Sequence, residues 1–115
     1  MDSILDTIKK MLGIESTDTA FDVDVIVNIN SVFMLLNQLG IGPINSFSIS
    51  GKDETWDQFL NDNTKLEAVK TYMYLKVRVL FDPPTISAVL DSLNRQITEL
   101  EWRLNVQAEG GTISA

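Results

Sequence analysis

The chain has 115 residues and a formal net charge of −7, and it contains neither cysteine nor histidine. Without cysteine there are no disulfides, thiolate metal sites or thiol nucleophiles, and without histidine the commonest general base is missing. Most kinds of catalytic site are therefore excluded. The length suits a single domain with a hydrophobic core that needs neither metals nor disulfides.

Charge is distributed unevenly along the chain. Residues 1–64 carry three bases against ten acids, whereas residues 65–115 carry six of each. An acidic surface repels nucleic-acid phosphate rather than binding it. No apolar run reaches the roughly 18 residues of a membrane span, and no basic signal-peptide region opens the chain. We therefore expect a soluble protein, intracellular when made, with no membrane partner.

The first predicted helix spans residues 4–12. Its apolar residues recur at helical spacing, Ser3 and Asp6 lie near its start as cap and charge signals, and Gly13 follows as a stop signal. Lys9 and Lys10 fall in its last turn. They could contact phosphate or an acidic partner, but we interpret them as complementing the helix dipole, which requires no ligand.

A long second helix is predicted to open with a capping box, in which Thr19 is the N-cap and Asp22 occupies the N3 position, and to close at Gly40. Its sequence is apolar on nearly every side. Such a helix is either the central core helix or one covered by a neighbouring subunit. Asp22 and Asp24 diverge on a helix, so we interpret them as a cap and a solvated side chain rather than a metal pair.

The stretch from Ile41 to Thr55 is predicted to be one long loop, because it is rich in glycine, serine and proline. The alternating run Phe47–Ser50 could form a brief strand or one arm of a short β-hairpin. A loop this long in a small domain suggests a binding role. Thr55 and Gln58 then form a second capping box that opens a short helix at Trp56.

Four acids lie near this short helix, but they lack the fixed spacing and the glycine of a calcium loop. They are Asp53, Glu54, Asp57 and Asp62. We interpret them as a solvated surface, and we expect neither a metal nor a cofactor.

The strongest helical pattern runs from Leu66 to Val106 and is broken at Asp82, Pro83 and Pro84. After the break, apolar residues repeat at steps of four and three, which is the seam of a helix that must be buried. They are Ile86, Leu90, Leu93, Ile97, Leu100 and Leu104. Because proline disfavours a helix before it and suits a first turn, Pro83 and Pro84 are predicted to stop one helix and start the next. We interpret this junction as a structural hinge that fixes the angle between the two helices.

The end of the chain contains two further features. Trp102 lies outside the seam, so its ring covers either another helix of the same subunit or the surface of a neighbour. From Gln107 the pattern dissolves, and residues 107–115 are predicted to be a flexible tail. The predicted organisation is therefore a helical domain over residues 1–106 followed by this tail.

Together these elements predict an all-α protein, a compact bundle of four to five helices with one long loop and a flexible C-terminal tail. Two sequence stretches add a family resemblance. Tyr-Met-Tyr-Leu-Lys-Val-Arg-Val-Leu-Phe-Asp-Pro-Pro, residues 72–84, precedes a helix that ends Glu-Leu-Glu-Trp-Arg-Leu-Asn, residues 99–105. These stretches resemble the small helical head-tail connector (adaptor) proteins of long-tailed bacteriophages. The order of the helices is similar over most of the chain.

The resemblance implies a structural virion protein, not an enzyme. It implies a homo-oligomeric ring, a dodecamer, in the neck at the head-tail interface, assembled from protein made in the host cytoplasm. Its expected partners are the portal protein, a stopper or tail completion protein, and further copies of itself. DNA is expected to pass through the ring without specific binding.

Seven residues are candidates for interfaces with these partners: Phe47, Ile49, Trp56, Trp102, Arg103, Val106 and Ile113. Two other functions stay open from the residues alone. One is a small helical regulatory protein that binds a single partner protein, which the mass in solution and on the virion would distinguish. The other is an enzyme using carboxylates and a divalent ion, which would require clustered acids on a rigid, apolar-backed site.

Overall fold

Five helices make up this computed structural model, which describes residues 3–61 and 63–113, without the side chains of residues 63, 64, 107 and 109–113. The helices are α1 (Ile4–Met11), α2 (Asp22–Gln38), α3 (Trp56–Phe59), α4 (Asn63–Phe81) and α5 (Ser87–Ile113). No strand is present in the described part of the chain. The predicted all-α class is confirmed.

Helix α4 is the centre of the bundle, since it packs against α1, α2 and α5. Its buried side chains occupy a broad arc of the helix surface. They are Leu66, Val69, Tyr72, Met73, Leu75 and Val77. Near the C-terminal end of α4 the apolar pattern continues onto the surface, where Leu80 is exposed.

Helix α1 has the ends that its sequence predicts. The Oγ atom of Ser3 accepts a hydrogen bond from the Asp6 N–H at 3.3 Å, and Gly13 follows the helix in the left-handed region at a φ of 83°. Both are standard devices for ending a helix. A single β-bridge joins Ser3 to Thr55 and so ties the start of α1 to the start of α3.

Lys9 lies in the last turn of α1, as the dipole interpretation expects, but that interpretation is incomplete because the side chain is only 1% exposed. Its ammonium group forms an ion pair with Asp22 at 2.7 Å. It also donates hydrogen bonds to the backbone carbonyls of Ser16 and Asp18, at 3.2 and 2.7 Å. Lys9 therefore fastens the α1–α2 connection and the start of α2 to α1, whereas Lys10 is exposed.

The predicted capping box at the start of α2 is also wrong. Helix α2 begins at Asp22, three positions after Thr19, and no side chain caps it. The carboxylate of Asp22 bonds Lys9 instead, so a tertiary ion pair replaces the local cap. The predicted end at Gly40 is confirmed, because this residue has a φ of 83° and the Ile41 N–H bonds the Leu36 carbonyl at 2.9 Å.

The possible hairpin in the long loop does not form. The side-chain amide of Asn30 bonds both backbone groups of Ile49, at 3.0 and 2.8 Å, much as a neighbouring strand would. The rings of Phe33, Phe47 and Phe59 pack within 5.6 Å of one another. The loop is therefore fixed to the core by side chains. The predicted start of α3 is confirmed, since the Thr55 N–H donates to Gln58 Oε1 at 3.0 Å.

The junction between α4 and α5 is longer than the sequence predicts. Residues 82–86 lie outside both helices, and α5 begins at Ser87, so neither proline lies in its first turn. The pair still packs together. The hydroxyl of Tyr72 on α4 donates to Glu101 Oε2 on α5 at 2.8 Å. Helix α5 also extends past Val106 to Ile113; the flexibility expected of residues 107–115 stays a prediction, and residues 114 and 115 lie outside the described residues.

Candidate functional site

Large apolar side chains that the bundle leaves exposed are the main candidate functional feature. On the described surface they are Met11, Phe21, Val23, Val27, Met34, Ile44, Leu80, Ile86, Val89, Trp102 and Val106. Scattered apolar residues are normal on a soluble protein, whereas contiguous patches mark interaction sites. Several of these side chains do fall into groups.

The first group lines a cleft of about 710 Å³ formed by the end of α1, the start of α2 and the end of α4, which we call the α2–α4 cleft. Its lining residues are Leu12, Ile14, Phe21, Asp24, Val27, Asn28, Leu80, Phe81 and Asp82. The rings of Phe21 and Phe81 meet edge to face with centroids 5.6 Å apart. The cleft thus combines apolar side chains with nearly as much polar surface, and its charged lining residues, Asp24 and Asp82, are both acidic.

A single exposed aromatic side chain, Trp102, marks the outer surface of α5. Trp102 is 66% exposed and borders a depression of about 690 Å³ whose lining also includes Asp91, Arg95 and Glu99. Glu99 pairs with Arg103 at 2.6 Å. Arg95 has no ion pair with any residue in the described part of the chain.

A third exposed region lies at the α4–α5 junction. Ile86 is 64% exposed and Val89 is also exposed, and both line a shallow depression with Pro83 and Pro84. The predicted seam is therefore buried only in its later part, where Ile97 and Leu104 lie in the core. Its first residue, Ile86, lies just before α5 and is exposed.

The candidate interface residues do not form one surface. Ile49 and Trp56 are buried within the subunit, and the Trp56 Nε1–H donates to Thr7 Oγ1 at 3.1 Å. Phe47 is half-buried in the aromatic cluster. In this conformation these three side chains support the long loop from inside.

The candidates on α5 are placed differently. Trp102, Arg103 and Val106 are exposed, and the side chain of Ile113 lies outside the described residues. Their role as interface residues stays a prediction.

Sequence reasoning did not identify the α2–α4 cleft or the exposed tip of the long loop. At that tip Ile44 is 95% exposed, and its carbonyl and that of Pro43 accept hydrogen bonds from the Asn37 side-chain amide. An isoleucine directly after a Gly-Pro turn was the available signal for the tip. The cleft had none, because its walls come from three separate helices.

The described residues contain no group of three or more acids that could hold a metal ion. No described helix is long and apolar enough to cross a membrane. The described surface offers three regions for contact: a cleft with apolar and acidic side chains, an exposed tryptophan, and exposed apolar side chains at the α4–α5 junction.

The chain is similar to a known protein family. The family model described as phage connector protein matches residues 4–111, which include all or nearly all of every helix. No curated protein and no solved structure matches the chain. Since the family model covers far more than half of the sequence, the chain belongs to the phage connector protein family.

Proposed function

We propose that this protein is a head-tail connector that forms a ring between the portal protein and the next neck component, a stopper or tail completion protein. In this role it is a structural component of the virion, assembled from subunits made in the host cytoplasm. DNA passes through the ring without being bound specifically. The family resemblance in the sequence suggests a dodecamer.

The observation that carries the proposal is the amount of apolar helix surface left without a partner, in a chain that belongs to a connector family. Exposed apolar side chains lie on α2, α4 and α5, at Val27, Leu80, Ile86 and Trp102 among others. A ring gives each subunit two neighbours and two axial partners, so several separate patches on one small subunit are expected. A regulator that binds a single partner would need only one.

Imaging of the particle neck tests the proposal. We expect a closed ring of copies of this chain between the portal and the tail. The mass of the isolated protein is not decisive, because assembly can require the portal as a template. A single copy per virion, or absence from the neck, would contradict the proposal.

A further inference from the structure

We infer that Trp102 of one copy of this chain docks into the α2–α4 cleft of the next copy, with Arg95 facing Asp24 across the contact. The inference rests on the proposed ring, and it specifies which two surfaces of the subunit meet. The partner that fills the cleft is a second copy of the same chain.

The cleft can accept a large aromatic side chain. Its volume is about 710 Å³, and Phe21, Val27 and Leu80 are exposed apolar side chains on its walls. An aromatic ring buries roughly 150–250 Å², and its edge is attracted to the faces of other rings. A visiting indole would meet the Phe21–Phe81 pair and cover apolar surface that the subunit leaves in water.

Trp102 is the best-placed occupant that the described surface offers. It is the most exposed aromatic side chain on that surface, and it projects from a long helix rather than from a loop. Tryptophan is enriched at the centres of protein interfaces, where it fills pockets on the partner. A side chain held on a packed helix also loses less conformational freedom on docking than one on an unanchored segment.

One pair of opposite charges supports the cleft as the receiving surface. Asp24 lines the cleft and Arg95 lines the depression beside Trp102. Neither side chain has an ion pair or a side-chain hydrogen bond in the described part of its own subunit. Docking would pair the two charges. The other acids on that face, Asp91 and Glu99, would be repelled by the acidic side chains of the cleft. Glu99, however, is already paired with Arg103.

The two surfaces differ, so the contact is heterologous. Contacts of this kind build closed rings or open filaments, whereas a self-complementary patch builds a two-fold dimer. The cleft is formed by α1, α2 and α4, and Trp102 is on α5. Each subunit therefore has one donor surface and one acceptor surface, as a ring requires.

A charge exchange tests the inference on portal-containing heads. We expect Asp24→Arg and Arg95→Asp each to reduce ring occupancy by about tenfold or more, and the double variant to restore it. Trp102→Ala should cause a similar loss. Met34→Ala is the matched control, because Met34 is 61% exposed on α2 but does not line the cleft. All four positions are exposed, so melting curves should show the folded domain in every variant.

Crosslinking provides a second test. Because the chain contains no cysteine, only the introduced thiols can react. A variant with Val27→Cys in the cleft and Thr98→Cys beside Trp102 should give a ladder of covalent oligomers beyond the dimer when a short bis-maleimide is added to assembled necks. The control pair Met34→Cys with Thr98→Cys should not. Products that stop at the dimer would overturn the heterologous contact.

Assembly of the wild-type protein and of its variants distinguishes the docking contact from the proposed ring. If the wild-type protein forms a ring at the neck and the Trp102, Asp24 and Arg95 variants assemble as well as the control, the inference is wrong and the proposed function stands. If the double charge exchange fails to rescue the single variants, the Arg95–Asp24 pairing is wrong. If the wild-type protein is absent from the neck, the proposed function itself is wrong.

Discussion

Among single residues, Lys9 is a side chain whose replacement should strongly lower the free energy of unfolding. Its ammonium group is buried and is satisfied by one carboxylate and two carbonyls. Removing one partner of a buried ion pair leaves the other partners unsatisfied, which is more costly than losing an exposed pair. We expect Lys9→Met to lower the free energy of unfolding by about 2–4 kcal/mol.

Lys10→Met is the matched control for this prediction. Lys10 follows directly in the same helix but is exposed, so its replacement should change the free energy of unfolding by less than about 0.5 kcal/mol. Urea denaturation of the two variants gives the comparison. Equal effects would mean that the Lys9 contacts contribute no more than a surface charge does.

Tyr72 provides a second residue-scale prediction. Its phenol is buried and donates to Glu101, and both burial and the nearby carboxylate raise the pKa of Tyr72. The proton therefore stays bound in the folded protein at a pH where the unfolded chain begins to lose it, near pH 10. The contribution is fully present below that pH, and stability should fall as the pH rises above it.

The variant Tyr72→Phe checks this sign. We expect it to cost about 1–2 kcal/mol near neutral pH, since it removes a hydrogen bond to a charged group. It should also lose less stability than the wild type between about pH 10 and pH 11. Identical alkaline denaturation curves for the two proteins would show that Tyr72 does not contribute to the alkaline loss.

Sequence signals predict the local ends of helices but not the contacts between residues that are distant along the chain. Helix ends that depend on local signals, such as Ser3, Gly13 and Gly40, were predictable because the chain within four residues decides them. The role of Lys9 was not, because its partners lie seven to thirteen positions away and are set by how α1 packs on α2. The same holds for Asn30, which takes the place of a strand beside Ile49.

At the scale of elements, the helices were predictable from their period, but the way in which their apolar faces are shared was not. The seam of α5 has one continuous pattern, yet the structure buries Ile97 and Leu104 and exposes Ile86. Periodicity reports that a face is apolar and not what covers it. The candidate interface residues have the same limitation: Trp56 and Trp102 were both candidates, and one is in the core while the other is on the surface.

The junction between α4 and α5 allows an element-scale prediction. Pro83 and Pro84 lie between the helices, and proline both restricts the residue before it and lacks an N–H for a helix. Replacing both with alanine should favour continuation of α4 and weaken the return of α5 along it. We expect little loss of helical circular dichroism but a large loss of ring incorporation. Normal assembly of the double variant would mean that packing of α5 on α4 alone sets the junction.

The end of α5 leads to a further element-scale prediction. Leu104 is fully buried and Ala108 packs against the core, so the anchoring contacts described for this helix end near residue 108. We therefore expect a chain truncated after Ala108 to keep its melting temperature within a few degrees. The family resemblance suggests that the C-terminal end docks on the portal, so the same truncation should weaken attachment to heads. Full occupancy on heads, or unfolding caused by the truncation, would each contradict this view of the segment.

At the scale of the whole molecule, charge decides how the protein behaves toward DNA. The chain has a net charge of −7, all of it contributed by the first 64 residues. The proposed ring would multiply that charge by its number of subunits, and residues 1–64 carry only three bases against ten acids. Proteins that grip DNA do so by neutralising phosphates with rows of lysine and arginine, and their binding weakens steeply with salt.

The acidic charge of the chain predicts that the isolated protein does not bind DNA. The isolated protein should pass through a DNA column without retention at about 0.15 M salt, and also at about 0.05 M, where any phosphate contacts would be strongest. A weakly repulsive wall suits a channel through which a stiff polyanion must slide, because each bound phosphate would slow its passage. Elution volume measured against salt concentration is the readout, with a basic protein of similar mass as the retained control. Retention that falls steadily as salt rises would show that the surface binds phosphate, and the protein would then hold DNA in the neck rather than let it pass.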